Sequence, residues 1–157
     1  MKTLYGLQMT QNLNNFLTLQ NNKKYATQSG TKIHALLKNI VIDDTIINNG
    51  NKEIVEEICL HPELKPFFVK SAQTEVPIAG FINGKFVSRR IDRLLINSAT
   101  KTVSFIDYKT DTDKQIFVEK YKNQINEYAQ LLKSAYPEYK VLGYVLWLHN
   151  WNLEQFV

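Results

Sequence analysis

Three carboxylates and a lysine are the residues of this chain whose types and spacing could do chemistry together. Glu75, Asp92, Asp107 and Lys109 lie on three segments rich in β-branched and aromatic residues. If the turns between those segments bring the carboxylates into one row, like charges face each other on a sheet and repel. A divalent cation between them would relieve that repulsion. The residues therefore indicate a metal-assisted reaction in which water attacks a phosphorus atom.

Two turns set the register of that row. Asn-Gly at 83–84 is the dipeptide favoured in a type I′ hairpin, because both central positions need positive φ, and it places Glu75 opposite Asp92. A second two-residue loop at 99–100 would place Asp92 opposite Asp107. We therefore predict three antiparallel strands, over residues 74–82, 85–97 and 102–110.

Lys109 is expected on the same face as Asp107, because side chains two apart on a strand point the same way. An ammonium beside a metal-binding carboxylate suits a reaction in which charge builds on phosphoryl oxygens. The plainer interpretation of Asp-x-Lys is an ion pair on a solvated strand. Val103 and Phe105 share the face of Asp107, which predicts a largely buried face. Buried charges need partners or a metal, and that favours a site.

Five segments of the chain, in order and spacing, resemble motifs of the RecB-like branch of the PD-(D/E)XK nucleases. Any one of them is weak alone, but together they cover the chain from Gly30 to about Trp147. The segments are Gly30–His34 (Gly-x-x-x-His), Glu75–Pro77 (Glu-x-Pro), Gly80–Leu94 with Ile-Asp-Arg at 91–93, Ile106–Thr110 (Asp-Tyr-Lys-Thr) and Gln124–Tyr128 (Gln-x-x-x-Tyr).

The resemblance implies a role for each matching residue. It implies that His34, Asp92 and Asp107 bind Mg²⁺ or Mn²⁺ through their side chains, and that Tyr108 does so through its main-chain carbonyl. Lys109 would be the catalytic lysine. Further residues are expected to support the site or position the scissile strand: Glu75, Gln124 and Tyr128. Many relatives carry four cysteines for an iron–sulfur cluster, whereas this chain has only Cys59, so no such cluster is expected.

The expected function is that of a metal-dependent DNA nuclease, with an exonuclease favoured over an endonuclease. Such domains often belong to helicase–nucleases that process double-strand breaks, so the expected partners are single- or double-stranded DNA ends and helicase domains or subunits. The phosphate-binding motif of ATPases is absent, so no nucleotide cofactor is expected. Two alternatives stay open: a catalytically silent module that binds DNA or a partner protein, and a metal-dependent RNA nuclease.

The elements that must position these residues form an α/β fold. We predict helices over residues 30–41, 52–60, 62–68 and 114–135, and a buried strand over residues 139–148 parallel to the third. A right-handed crossover through the last helix gives a mixed four-stranded sheet in the order 1-2-3-4, flanked by helices. The resemblance implies that this is a restriction-endonuclease-like core. Pro77 lacks an N–H group, which suits an edge strand.

Composition indicates a single domain of 157 residues, with residues 1–20 of uncertain structure and no signal peptide or membrane span. The lone Cys59 indicates a reducing, cytoplasmic location and is expected to be a small core residue. A net charge of +4 weakly favours a polyanionic partner. Four basic residues are candidate phosphate contacts, although a solvated face would explain them equally well: Arg89, Arg90, Lys114 and Lys120.

Overall fold

The computed structural model describes residues 23–157, with side chains from Gly30 onward. The expectation for residues 1–20 lies outside that part of the chain. The described helices are α1 (Lys23–Lys38), α2 (Lys52–Leu60), a short 3₁₀ helix (Lys65–Phe68) and α3 (Lys114–Ala135). The predicted bounds of α2 and α3 are confirmed. α1 begins earlier than predicted, and only the end of the predicted 62–68 helix is helical.

The strands are β1 (Gln73–Ile82), β2 (Lys85–Asn97), β3 (Thr102–Lys109), β4 (Lys140–Trp147) and β5 (Asn152–Gln155), side by side in that order. The pairs β1–β2, β2–β3 and β4–β5 are antiparallel, and β3–β4 is parallel. The predicted order and directions of the first four strands are confirmed. The four-strand count was wrong, because the short β5 carries too few residues to give a pattern of its own.

Both predicted registers hold, but one turn differs from its prediction. Asn83 and Gly84 have φ of 50° and 76°, as a type I′ turn requires, and Thr74 lies opposite Arg93. Between β2 and β3 the connection is four residues, 98–101, rather than two. It is shaped by the Asn97 side chain, which accepts the Thr100 N–H, and by Lys101, which has φ of 51°. The longer loop is centred on the same point, so Leu94 still lies opposite Phe105.

The sheet carries a hydrophobic core on each face. On one face, α1, α2 and the 3₁₀ helix pack against Ile106 and Tyr108 of β3. On the other, α3 packs against Val103 and Phe105. The sheet therefore lies between two helical layers, and alternate residues of β3 point into different cores.

Cys59 was expected in the core, and that prediction was wrong because Cys59 is exposed. The apolar face of α2 is formed by Ile54, Val55 and Ile58, and the residue after Ile58 points away from it. Across residues 23–157, none of the helices is both long enough and apolar enough to cross a membrane.

Candidate functional site

Asp92 and Asp107 lie where β2 and β3 stop pairing. Ladder pairs between these strands run from Asn97–Thr102 to Arg93–Ile106 and go no further. Beyond that point, the Asp92 carboxylate accepts the Tyr108 N–H through Oδ2 at 2.7 Å. A side chain thus replaces the main-chain acceptor that a continued ladder would supply. The end of the ladder places two carboxylates beside one another.

Asp107 is buried, with only 4% of its surface exposed, and its hydrogen bonding is incomplete. Its Oδ1 atom accepts long hydrogen bonds from Gln124 Nε2 at 3.3 Å and from the Tyr128 hydroxyl at 3.4 Å. Its Oδ2 atom lies 2.5 Å from Lys109 Nζ and has no other partner among the described residues. Burial raises the pKa of Asp107, the Lys109 charge opposes that rise, and Asp92 adds to it. The carboxylate is therefore a charged group whose surroundings do not fully compensate it.

Lys109 is held beside Asp107 by three groups. Its Nζ atom donates to Gln124 Oε1 at 3.0 Å and lies 4.3 Å from the centre of the Tyr121 ring, in addition to the Asp107 ion pair. The Tyr121 hydroxyl in turn donates to Asp111. Tyr121 was not among the predicted site residues. Its spacing on the helix from Gln124 was a usable signal, because residues three apart share a helix face.

Gln124 and Tyr128 form one unit on α3 with the predicted spacing. Gln124 Nε2 donates to the Tyr128 hydroxyl at 2.6 Å, and both residues contact Asp107. The Tyr128 ring packs edge-on against Phe105, and burial raises the pKa of its hydroxyl. The hydroxyl is therefore a hydrogen-bonding group rather than a base. The structure brings both residues to the carboxylate and the lysine, as the motif predicted.

His34 approaches the same carboxylates from α1. Its Nδ1 atom lies 3.5 Å from Asp92 Oδ1, and its ring makes an edge contact with Tyr108. Burial lowers the pKa of His34, but the hydrogen bond and charge of Asp92, with the charge of Asp107, raise it overall. The charges of both carboxylates therefore act on the imidazole. Tyr108 contacts both Asp92 and His34: its N–H donates to Asp92, and its ring packs against His34.

Glu75 lies at the margin of this group. It has φ of 54°, a left-handed conformation that interrupts the alternation of β1. Its carboxylate accepts a hydrogen bond from Arg90 Nη1 at 2.9 Å. It also lines an open cavity of about 410 Å³ together with Gly30, Thr31, His34, Ala35, Lys38 and Thr110. Glu75 thus faces a space beside His34, and its supporting role stays a prediction.

The candidate phosphate contacts are engaged in ion pairs or aromatic contacts. Arg89 pairs with Glu127 at 2.8 Å, Arg90 with Glu75, and Lys114 with Glu154 at 2.5 Å. Lys120 Nζ lies 6.0 Å from the Tyr121 ring centre. Such exposed pairs are weak and exchange readily. They leave both earlier interpretations of these residues open.

Arg93 is a buried charge that sequence reasoning passed over. It is fully buried, and its guanidinium donates to the Tyr108 hydroxyl and to the main-chain carbonyls of Leu37, Ile40 and Phe67 at 2.5–2.9 Å. It also lies 4.0 Å over the Phe68 ring. The sequence did hold a usable signal. Neighbouring strand residues point to opposite faces, so Arg93, which follows Asp92, was expected on the face opposite the Asp92 carboxylate.

No three His, Cys, Asp or Glu side chains within the described residues form a group arranged to hold a metal ion. His34, Asp92 and Asp107 nonetheless lie in one electrostatic group, with Lys109 beside Asp107. Such an arrangement can bind a cation through hard oxygen donors or place an ammonium against an anion. Comparison of the chain with models of protein families, and with curated proteins, gives no match. Its function is therefore inferred from the site.

Proposed function

We propose that this protein is a metal-dependent nuclease that hydrolyses DNA phosphodiesters, built on a restriction-endonuclease-like core. The observation that carries the proposal is Asp107. It is a buried carboxylate whose Oδ2 atom has the Lys109 ammonium, at 2.5 Å, as its one partner among the described residues, and a second carboxylate lies nearby. Keeping such a group charged costs free energy, and a bound cation would offset that cost.

The donors near Asp107 suit Mg²⁺ or Mn²⁺ in their chemistry. Carboxylate oxygens are the ligands these ions prefer, and Mn²⁺ also accepts imidazole nitrogen. The proposed ligands are His34, Asp92, Asp107 and the main-chain carbonyl of Tyr108. When bound, the ion would supply a more acidic water and a polarised phosphate.

The chain's own residues account for the remaining tasks. Lys109 would place its ammonium against the phosphoryl oxygens on which charge develops. Gln124 holds Lys109 through Oε1 and contacts Asp107 through Nε2, so it couples the positions of the two charged groups. The Tyr128 hydroxyl, at the edge of the core, accepts a hydrogen bond from the Gln124 amide and so fixes its position. The contacts of Lys109 with Asp107 of β3 and with Tyr121 and Gln124 of α3 thus keep the ammonium in place before substrate arrives.

The test is cleavage of end-labelled single- and double-stranded DNA by purified protein, in Mg²⁺, Mn²⁺ or EDTA, with and without ATP. We expect cleavage that requires a divalent ion and does not require ATP. Asp107→Asn should reduce it at least about 10³-fold, because the variant keeps the shape of the side chain and removes its charge. Asp43→Asn, an exposed aspartate, serves as the matched control and should cleave normally.

Other results would identify the alternatives. Equal cleavage in EDTA would show that the carboxylates do not act through a cation. Binding of DNA without cleavage under every condition would favour a catalytically silent module. Faster cleavage of a matched RNA strand would redirect the proposal to an RNA nuclease. The proposed partners, helicase domains or subunits of a break-processing complex, would be sought only after DNA cleavage is established.

A further inference from the structure

The β1–β2 hairpin has one face packed and one face open. Its inner residues Val76 and Ile78 join the core under α3, and a Cβ atom at Gly80 would lie 2.9 Å from Leu131. The opposite face is exposed along its whole length. That surface, called here the hairpin outer face, consists of Pro77, Ala79 and Phe81 on β1, and Phe86, Ser88 and Arg90 on β2.

Two phenylalanines dominate the far end of the hairpin outer face. Phe81 is 73% exposed and Phe86 is 65% exposed, and they lie directly opposite each other across the strands. Their ring centres are 5.6 Å apart and their planes are inclined at 67°. The ring pair is fixed by the type I′ turn and leaves aromatic surface open to solvent. Exposed large apolar groups of this kind often mark a binding surface.

The charge around the rings identifies the occupant. Arg90 lies on the same face as the rings, between them and the candidate site. Lys85, the residue before Phe86, adds an exposed positive charge at the turn, on the alternate face. The other members of the face are small: Pro77, Ala79 and Ser88. A partner with flat apolar rings on a negatively charged backbone matches this combination of aromatic and basic groups, and single-stranded DNA is such a partner.

We propose that the hairpin outer face is a binding platform for single-stranded DNA, on which Phe81 and Phe86 stack with bases of a strand whose other end reaches the candidate site. This inference rests on the proposed function for its substrate class. Asp92 is six positions after Phe86 on β2, which is about 20 Å of strand. At about 3.4 Å per stacked nucleotide, the platform and the site are about six nucleotides apart. Arg90 is exposed, pairs with half-buried Glu75 and lies on the way, and it could exchange that partner for a phosphate.

The test measures binding of fluorescent single-stranded DNA of 12 and of 4 nucleotides, by anisotropy in EDTA, to the full chain. The double variant Phe81→Leu/Phe86→Leu keeps the apolar surface and removes the rings, and Phe81→Trp/Phe86→Trp keeps aromatic faces. We expect the leucine variant to bind the 12-mer about tenfold or more weakly, and the tryptophan variant to bind at least as tightly as wild type. Leu60→Ala, another exposed apolar residue, is the control and should change nothing. The 4-mer is too short to reach both regions and can bind at the site when the rings are absent, so the leucine variant should weaken its binding less than that of the 12-mer.

A second measurement separates the platform from the site. Hydrolysis of bis(p-nitrophenyl) phosphate, which is too small to reach the rings, should be equal in wild type and the leucine variant. Equal 12-mer binding by wild type and the leucine variant would overturn the platform and leave the proposed nuclease standing. Ring-dependent binding without any hydrolysis would support the platform and overturn the proposed nuclease. A wild-type dimer that the leucine variant loses, seen by light scattering, would show that the rings bind a second copy instead.

Discussion

Arg93 and Asp107 are the buried charged residues of the described chain, and they lie on opposite faces of the same sheet. Arg93 has four neutral oxygen acceptors at 2.5–2.9 Å and an aromatic ring against its guanidinium. Asp107 has two hydrogen bonds longer than 3.2 Å to one oxygen, and the other oxygen has a single cation, Lys109, as its partner. Arg93 is therefore much more completely satisfied than Asp107.

The difference separates a structural charge from a functional one. Arg93 ties the end of α1, the loop after it and the 3₁₀ helix to β2, because its donors reach carbonyls of Leu37, Ile40 and Phe67. With the bond to the Tyr108 hydroxyl, four of its five N–H groups are engaged by protein oxygens. Asp107 keeps unused acceptor capacity in a place where water is scarce, which costs stability and leaves room for a ligand. Incomplete satisfaction, more than burial, marks the group available for chemistry.

Replacing Lys109, the ion-pair partner of Asp107, is expected to have the largest effect of these changes, and that effect is on cleavage. Replacing it with methionine preserves most of the side-chain volume and removes the ammonium, so cleavage should fall about 10³-fold. Mn²⁺ affinity, measured by calorimetry, should stay near wild type because Lys109 is not a proposed ligand. Lys101→Met, at an exposed surface ion pair, is the control and should cleave normally. A large loss of Mn²⁺ binding in Lys109→Met would mean that the lysine organises the ligands themselves.

Arg93 should show the opposite profile, with a structural and not a catalytic defect. Arg93→Met leaves three buried carbonyls and the Tyr108 hydroxyl without their donor, and we expect it to destabilise the fold by about 3 kcal/mol or more. The melting temperature should fall by about 6–12 °C. Arg89→Met breaks only an exposed pair with Glu127 and should cost at most about 1 kcal/mol. Equal melting of the two variants would contradict the structural role given to Arg93.

Asp107→Asn should have a smaller effect on stability, and of the opposite sign. Two neighbouring carboxylates repel, and after screening the net cost is about 1 kcal/mol or less. In EDTA the variant should therefore melt at or up to about 4 °C above wild type. With Mn²⁺ it should gain less than wild type, because binding to the folded state alone stabilises it by mass action. Melting far below wild type in EDTA would show that the Lys109 ion pair is structural.

The smallest expected effect is the pH dependence of that difference. The pKa of Asp107 is raised in the folded state, so the ionised carboxylate weakens the fold above that pKa. As pH falls through the folded pKa toward the unfolded value, wild type should regain stability that Asp107→Asn never lost. The melting difference in EDTA should therefore shrink on acidification. Thermal scans of both proteins between neutral pH and about pH 4 test this, and a difference that grows toward low pH would reverse the sign of the assignment.

Much of the fold could be predicted from local features of the sequence alone. Asn83-Gly84 specifies its turn because few residues accept positive φ at both positions, and that turn aligns β1 with β2. The helical spacing of apolar residues over 114–135 was enough to bound α3. The near-continuous apolar run of β4 predicted a strand buried on both faces and parallel to β3. These signals work because each depends on neighbours a few residues away.

The candidate site was predicted only in part, because local signals do not show how distant elements pack against each other. Asp92, Asp107, Lys109, Gln124 and Tyr128 follow strand alternation and helix spacing, and the structure brings them together. Glu75 departs from the row because its positive φ breaks the alternation. The role of Tyr121 under Lys109 and the exposure of Cys59 depend on which helix face meets the sheet.

The sequence by itself determined the turns, the registers and which strand residues share a face, since these follow from backbone geometry and local spacing. Only the tertiary structure decided how well each buried charge is satisfied. Arg93 reaches carbonyls more than 50 positions away in α1 and the loop after it, whereas the partners of Asp107 come from α3 and from Lys109 of its own strand, and Oδ2 has Lys109 alone. Acceptors so distant along the chain are set by packing of whole elements, which no local pattern encodes.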